Sequence, residues 1–140
     1  MSNCMQLRTD HVELLDICQM LEGTIAGAKP PSSAVRYGVR KRLTTKLIAH
    51  LKAEDWLLYP RLLESQDPHI ASTARVFVDE MGGLAKAFNA YVENWDAFRI
   101  EREWGQYKTE TAGIIAALRC RITRENCELY PLLERLDEAA

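Results

Sequence analysis

The chain has 140 residues, with 20 acidic against 18 basic side chains and a net charge of −2. That length suits one domain, residues 1–140, large enough to bury a full core. The near-neutral balance gives no electrostatic reason to expect nucleic acid or an anionic membrane as partner.

No apolar run approaches the roughly 20 residues that span a bilayer. Residues 1–6 lack the basic-then-apolar order of a signal peptide. The four cysteines, at positions 4, 18, 120 and 127, show no CxxC spacing. The expectation is a cytoplasmic protein with reduced thiols. Cys18 reads as a small buried hydrophobe. Cys120 and Cys127, seven residues apart, read as packing residues, with redox work the alternative.

Residues 6–26 read as the first helix. Leu7, His11, Leu14, Cys18, Leu21 and Ile25 recur at steps of four and three, a bundle-type seam that points His11 inward. Gly27, Pro30 and Pro31 then end the helix, and a serine is available to cap the next one. The second helix spans about 33–64. Its basic residues Arg36, Arg40, Lys41, Arg42 and Lys46 read as a solvated face partly paired with Asp10, Glu13, Asp16 and Glu22 of the first helix. A protein-docking surface is the alternative. The inward stripe is Leu43, Leu47, His50, Glu54, Leu57 and Arg61. Pro60 predicts a kink or a helix end.

The third helix, roughly 69–99, has the most regular seam: Ile70, Ala74, Phe77, Met81, Leu84, Phe88, Tyr91, Trp95 and Phe98. Gly82 and Gly83 interrupt it at a cost of about 1 kcal/mol each against alanine, which implies a close neighbour or room for a ligand. His69 is expected at the surface. The fourth helix follows residues 102–105 and turns Thr111, Ile114, Leu118, Arg121, Glu125 and Leu132 inward. Four amphipathic helices with short loops and no strand pattern predict an all-α, up-down-up-down four-helix bundle.

Within that bundle the chain repeats itself. A shift of 71 residues lays Glu54 on Glu125, Leu58 on Leu129 and Tyr59-Pro60 on Tyr130-Pro131, with His50 falling on Arg121. A shift of 70 lays Leu7, Asp10, His11 and Leu14 on Phe77, Glu80, Met81 and Leu84. His50 and Glu54, one turn apart, leave the same helix face. An unpaired buried carboxylate is costly, so Glu54 and Glu125 require partners. Counting from the connecting loops places His11, His50 and Glu54 at one depth, with Met81, Arg121 and Glu125 approaching from the other hairpin.

Asp10-His11, the block from His50 through Glu54 to Tyr59-Pro60, and Glu125 with Tyr130-Pro131 together resemble the hemerythrin-like, HHE cation-binding family. The resemblance covers nearly the whole chain. It implies a four-helix bundle built for a non-haem di-iron centre, with histidines from all four helices and bridging carboxylates. His11 and His50 match two histidine ligands of one iron, and Glu54 and Glu125 match the bridging carboxylates.

The departures lie on the other iron. Met81 stands where a helix-three histidine is expected, Ala85 where a further ligand is usual, and Arg121 where helix four would supply its histidine. A guanidinium cannot coordinate a cation, but its planar fork engages carboxylates. One reading therefore makes Arg121 the cation between Glu54 and Glu125, with His11 and His50 in a hydrogen-bonded network and no metal bound. A second keeps a single iron or zinc on His11, His50, Glu54 and Glu125. A third makes the histidines ordinary core residues.

Two classes of function follow. One is a non-enzymatic regulatory or protein-interaction module; the middle helices also resemble regulator-of-sigma-D anti-sigma factors, and a groove near Arg36, Arg40 and Arg42 would be the docking place. The other is a metal-dependent binder or sensor of oxygen, nitric oxide or iron. No nucleophile–base pair or Gly-rich phosphate loop is visible in the sequence, so enzyme activity is not expected.

Overall fold

A computed structural model describes residues 3–139, so Met1, Ser2 and Ala140, at the ends of the expected domain, lie outside the described residues. The described residues form helices and no strand. They assemble as four long helical rods, the expected bundle. The first rod is α1 (Asn3–Thr24). The second is α2 (Ser33–Lys52), a π-helical segment π1 (Ala53–Leu58) and α3 (Tyr59–Leu63). The third is α4 (Pro68–Met81) followed by α5 (Leu84–Asn94). After the short α6 (Ala97–Arg102), the fourth runs through α7 (Trp104–Arg124), π2 (Glu125–Leu129) and α8 (Tyr130–Ala139). Among the described residues no helix is long and apolar enough to cross a membrane.

Local chemistry sets the helix starts. Ser32 Oγ accepts from the Val35 N–H at 3.3 Å and caps α2. Asp67 Oδ1 accepts from the His69 N–H at 2.9 Å at the head of α4, where Pro68 occupies the first turn and needs no N–H partner. His69 is exposed, as the sequence implies.

The stripe predicted for the second rod fails after Glu54. Leu57 is 72% exposed and Arg61 is also exposed, whereas Leu58 and Leu62 are buried. The cause is π1. The Tyr59 N–H reaches back five residues to the Glu54 carbonyl, so the turn holds an extra residue and the apolar face moves on by one position. Pro60 has no N–H to continue the α pattern across this point. The helix accordingly neither ends nor breaks at Pro60; α3 carries it to Leu63. The fourth rod does the same before Pro131, where the Tyr130 N–H bonds to the Glu125 carbonyl.

The single third helix is likewise divided. It breaks at Gly82-Gly83, where a Cβ on Gly82 would lie 2.5 Å from the Val78 carbonyl oxygen, and again after Asn94. Close backbone approach therefore explains Gly82. Beyond the second break Trp95 is buried but Phe98 is 70% exposed, contrary to its place in the seam.

Two hydrophobic clusters fill the bundle. One gathers Leu14, Cys18, Leu43, Leu47, Phe88, Trp95, Tyr107 and Leu118; the other gathers Leu7, Leu58, Leu62, Phe77, Leu129 and Leu133. Cys18 is buried as read, whereas Cys120 and Cys127 are exposed free thiols and do not pack in the core. Between the clusters lie His11, His50, Glu54, Arg121 and Glu125, each no more than 3% exposed.

Candidate metal centre

Four inward turns meet in this polar layer. α1 supplies Asp10 and His11, the last turn of α2 carries His50, the first turn of π1 carries Glu54 and Asp55, and π2 opens with Glu125 at the end of α7, one turn after Arg121. One nitrogen or oxygen atom from each of His11, His50, Glu54 and Glu125 lies within 4.8 Å of the others. His11 Nε2 is 3.1 Å from His50 Nε2 and 3.1 Å from Glu125 Oε1, and His50 Nε2 is 3.2 Å from Glu54 Oε1.

The outer faces of the imidazoles are already committed. His50 Nδ1 donates to Asp10 Oδ2 at 3.0 Å, and His11 Nδ1 lies 2.7 Å from Asn126 Oδ1, which can only accept. With both rings neutral, these bonds put the protons on Nδ1 and leave two Nε2 lone pairs facing each other. Glu125 Oε1 is buried and makes no hydrogen bond, although His11 Nε2 lies 3.1 Å away. A positive charge is required where these atoms converge.

Arg121 occupies the other side of the carboxylates. Its Nε donates to Glu125 Oε2 at 3.1 Å, its Nη2 to Glu54 Oε1 at 3.0 Å and to Asp55 Oδ1 at 2.7 Å, and its Nη1 to the Met81 carbonyl at 3.2 Å. The Met81 side chain is half-buried against the second hydrophobic cluster, and the main chain rather than the thioether meets the site. Two phenols close the layer crosswise: Tyr59 donates to Glu125 Oε2 at 2.6 Å and Tyr130 to Glu54 Oε2 at 2.5 Å.

Charge accounting points the same way. Asp10, Glu54, Asp55 and Glu125 are answered by Arg121 and by Lys46, whose Nζ lies 3.0 Å from Asp10 Oδ1. With neutral histidines, two negative charges remain. Burial works against charge on Glu54, but His50 and Arg121 outweigh it and hold its pKa at about 2. Burial and the Glu54 charge raise the pKa of Glu125. Burial disfavours the His50 imidazolium, yet the Glu54 carboxylate prevails and raises its pKa. Without a metal ion, protons on His50 and between the carboxylates supply the missing charge. A divalent cation would replace them.

The structure thus brings together His11, His50, Glu54, Glu125 and Arg121, all singled out from the sequence. Sequence reasoning missed the roles of Asp55, Tyr59, Tyr130 and Asn126. The repeated Tyr-Pro pair was a signal for the phenols, but the α-helical register turned them away from the site. Of the basic face on α2, Lys46 pairs with Asp10 and Glu13 as expected, at 3.0 and 2.9 Å. Glu22 pairs with Arg119 instead, and Arg36 is buried.

The sequence model of the hemerythrin HHE cation binding domain matches residues 6–133. No curated protein and no solved structure gives a significant match.

Proposed function

The chain belongs to the hemerythrin HHE cation-binding family, and from that premise we propose that it binds one divalent metal ion, iron or zinc, and acts as a regulatory module rather than an enzyme. His11, His50, Glu54 and Glu125 would hold the ion. Two imidazoles and two carboxylates are a donor set suited to either metal. The observation that carries the reading is the buried Glu125 Oε1, left without a hydrogen bond beside two Nε2 atoms whose rings are fixed from behind.

Arg121 takes the place of a second ion. It satisfies Glu54 and Glu125 from one side and so makes the centre mononuclear. Its positive charge lowers affinity for a divalent ion, and the residual charge of the layer works in the opposite direction. A bound ion would supply Lewis acidity, and iron would also supply a one-electron couple. The chain's own part is to orient the ligands through Asp10 and Asn126 and to keep the site dry between two apolar clusters.

The regulatory reading rests on π1. Glu54 lies in its first turn, and Trp56 and Leu57 on its outer side are 69% and 72% exposed. Occupancy at Glu54 bears on a segment whose outer residues suit contact with a protein partner.

The test is elemental mass spectrometry on protein loaded with Fe(II) or Zn(II) and then dialysed. The expected result is about one ion per chain in the wild type and none in His50→Ala or Glu125→Gln. A metal-free wild type overturns the proposal and leaves Arg121 as the layer's resident cation.

A further inference from the structure

A second candidate site lies on the same helix, well away from the metal centre. Arg36 precedes His50 by fourteen residues in α2, about 20 Å along the axis. It lines a cleft of about 350 Å³ between one face of α2 and the turn from α5 into α6. Tyr37, Arg40 and Lys41 share its wall, with Trp95 and Ile100 opposite.

Arg36 is 3% exposed, and its Nε and Nη1 groups are buried without a hydrogen-bond partner. Among the described residues its polar partner is Glu101, whose Oε1 lies 3.4 Å from Nη2, and that carboxylate is mostly exposed. A guanidinium withdrawn from water with most of its donors unspent is unfavourable for the fold alone. The indole Nε1–H of Trp95, a residue 1% exposed, is also buried without an acceptor. Arg36 and Trp95, which together carry three unpartnered donor groups, therefore line one cleft.

The neighbouring charges do not answer them. Arg40 is spent on the main chain, donating to the Trp95 carbonyl at 2.6 Å and the Val92 carbonyl at 3.1 Å. Asp96, the acidic residue in the wall, accepts from the Arg99 N–H at 2.8 Å as the α6 cap. Lys41 adds a further positive charge at the mouth.

We propose that this cleft binds a small organic carboxylate whose apolar body packs on Trp95 and Ile100 while its carboxylate pairs with Arg36. The planar donors of one guanidinium match the two oxygens of a carboxylate. The mostly apolar wall with a few convergent donors matches the make-up of small-molecule sites, and the volume lies at the lower end of their range. This site is independent of the metal centre and of the reading given to it.

The test titrates the full chain with benzoate and octanoate by calorimetry, beside benzyl alcohol and octanol as neutral counterparts. The expected result is saturable binding of a carboxylate, weakened about tenfold or more in its alcohol and in Arg36→Met. Methionine keeps the apolar stem and removes the orphaned donors, so this variant should melt no lower than the wild type. Trp95→Phe, which loses only the indole donor, provides a second variant and should also bind more weakly. Absence of binding by either carboxylate, equal binding by the alcohols, or unchanged binding in Arg36→Met overturns the proposal. Tighter binding of phenyl phosphate than of benzoate overturns the assignment to carboxylates.

Discussion

Replacing Arg121 with alanine removes the single group that touches Glu54, Asp55, Glu125 and the Met81 carbonyl together. Glu54 and Glu125 are both 0% exposed, so water does not readily take over. Removing one member of a buried ion pair costs about 3–5 kcal/mol, because the remaining charge is stranded. The two carboxylates would recover part of this by sharing a proton, which places the expected loss near the lower end, at about 3 kcal/mol. Domains of this kind are stable by about 5–15 kcal/mol, so the loss is a large fraction of the whole. At roughly 3–5 °C per kcal/mol for this size, melting should fall by about 10–15 °C. The assay is urea and thermal unfolding of metal-depleted protein, repeated in an Arg121→Ala, Glu125→Gln double variant, where part of the loss should return. A drop below about 3 °C, or no recovery in the double variant, would refute the reasoning that Arg121 neutralises these carboxylates.

Three further outcomes follow from the same geometry. Arg121→His exchanges the resident cation for a neutral ligand beside Glu54, Asp55 and Glu125, and should raise metal content from about one toward two ions per chain by elemental mass spectrometry. In metal-depleted protein, the Glu54 pKa lies at about 2 against an ordinary 4.5. Its ionised form therefore stabilises the fold above about pH 4.5, and that contribution is lost as pH falls toward 2. Unfolding measured across this window should show the penalty of Glu54→Gln shrinking with acid, and a constant penalty would contradict the shift. Burial raises the Cys4 and Cys18 thiols to about 11, whereas Cys120 and Cys127 are exposed. A disulfide reagent at pH 8 should modify two thiols per native chain and four after unfolding.

The bundle was legible because its seams are regular. His11, Leu14, Cys18 and Leu21 on the first rod, and Leu43, Leu47 and His50 on the second, keep one period from sequence to structure. Legibility ended where hydrogen bonding changed period. After Glu54 an α-helical count selects Leu57 and Arg61, and the π turn selects Leu58 and Leu62. A pattern of side chains carries no direct mark of an i→i+5 bond; only Pro60, one residue beyond, hinted that the α ladder could not run on. Arg36 was misread for a different reason. It stands among four other basic residues on a face that is mostly solvated, and it is buried beside a cleft shared with Trp95 and Ile100, residues of the distant turn from α5 into α6. The site carboxylates were found because buried charge is rare and their spacing to His50 and Arg121 was one turn. Their phenol partners were not, because Tyr59 and Tyr130 reach the layer only through the altered turns.

Those turns tie the two hairpins into a reciprocal arrangement. Tyr59, from the first hairpin, orients Glu125 of the second, and Tyr130, from the second, orients Glu54 of the first. Each acid thus takes one of its hydrogen bonds from the opposite half, beside the Arg121 or His50 contact from its own. A chain cut in the loop between Leu63 and Pro68 would give two fragments, each with a carboxylate aimed by a hydroxyl it no longer owns. Fragment complementation, not independent folding, is the behaviour such an exchange dictates, and it holds the two copies of the repeat to a single cooperative unit.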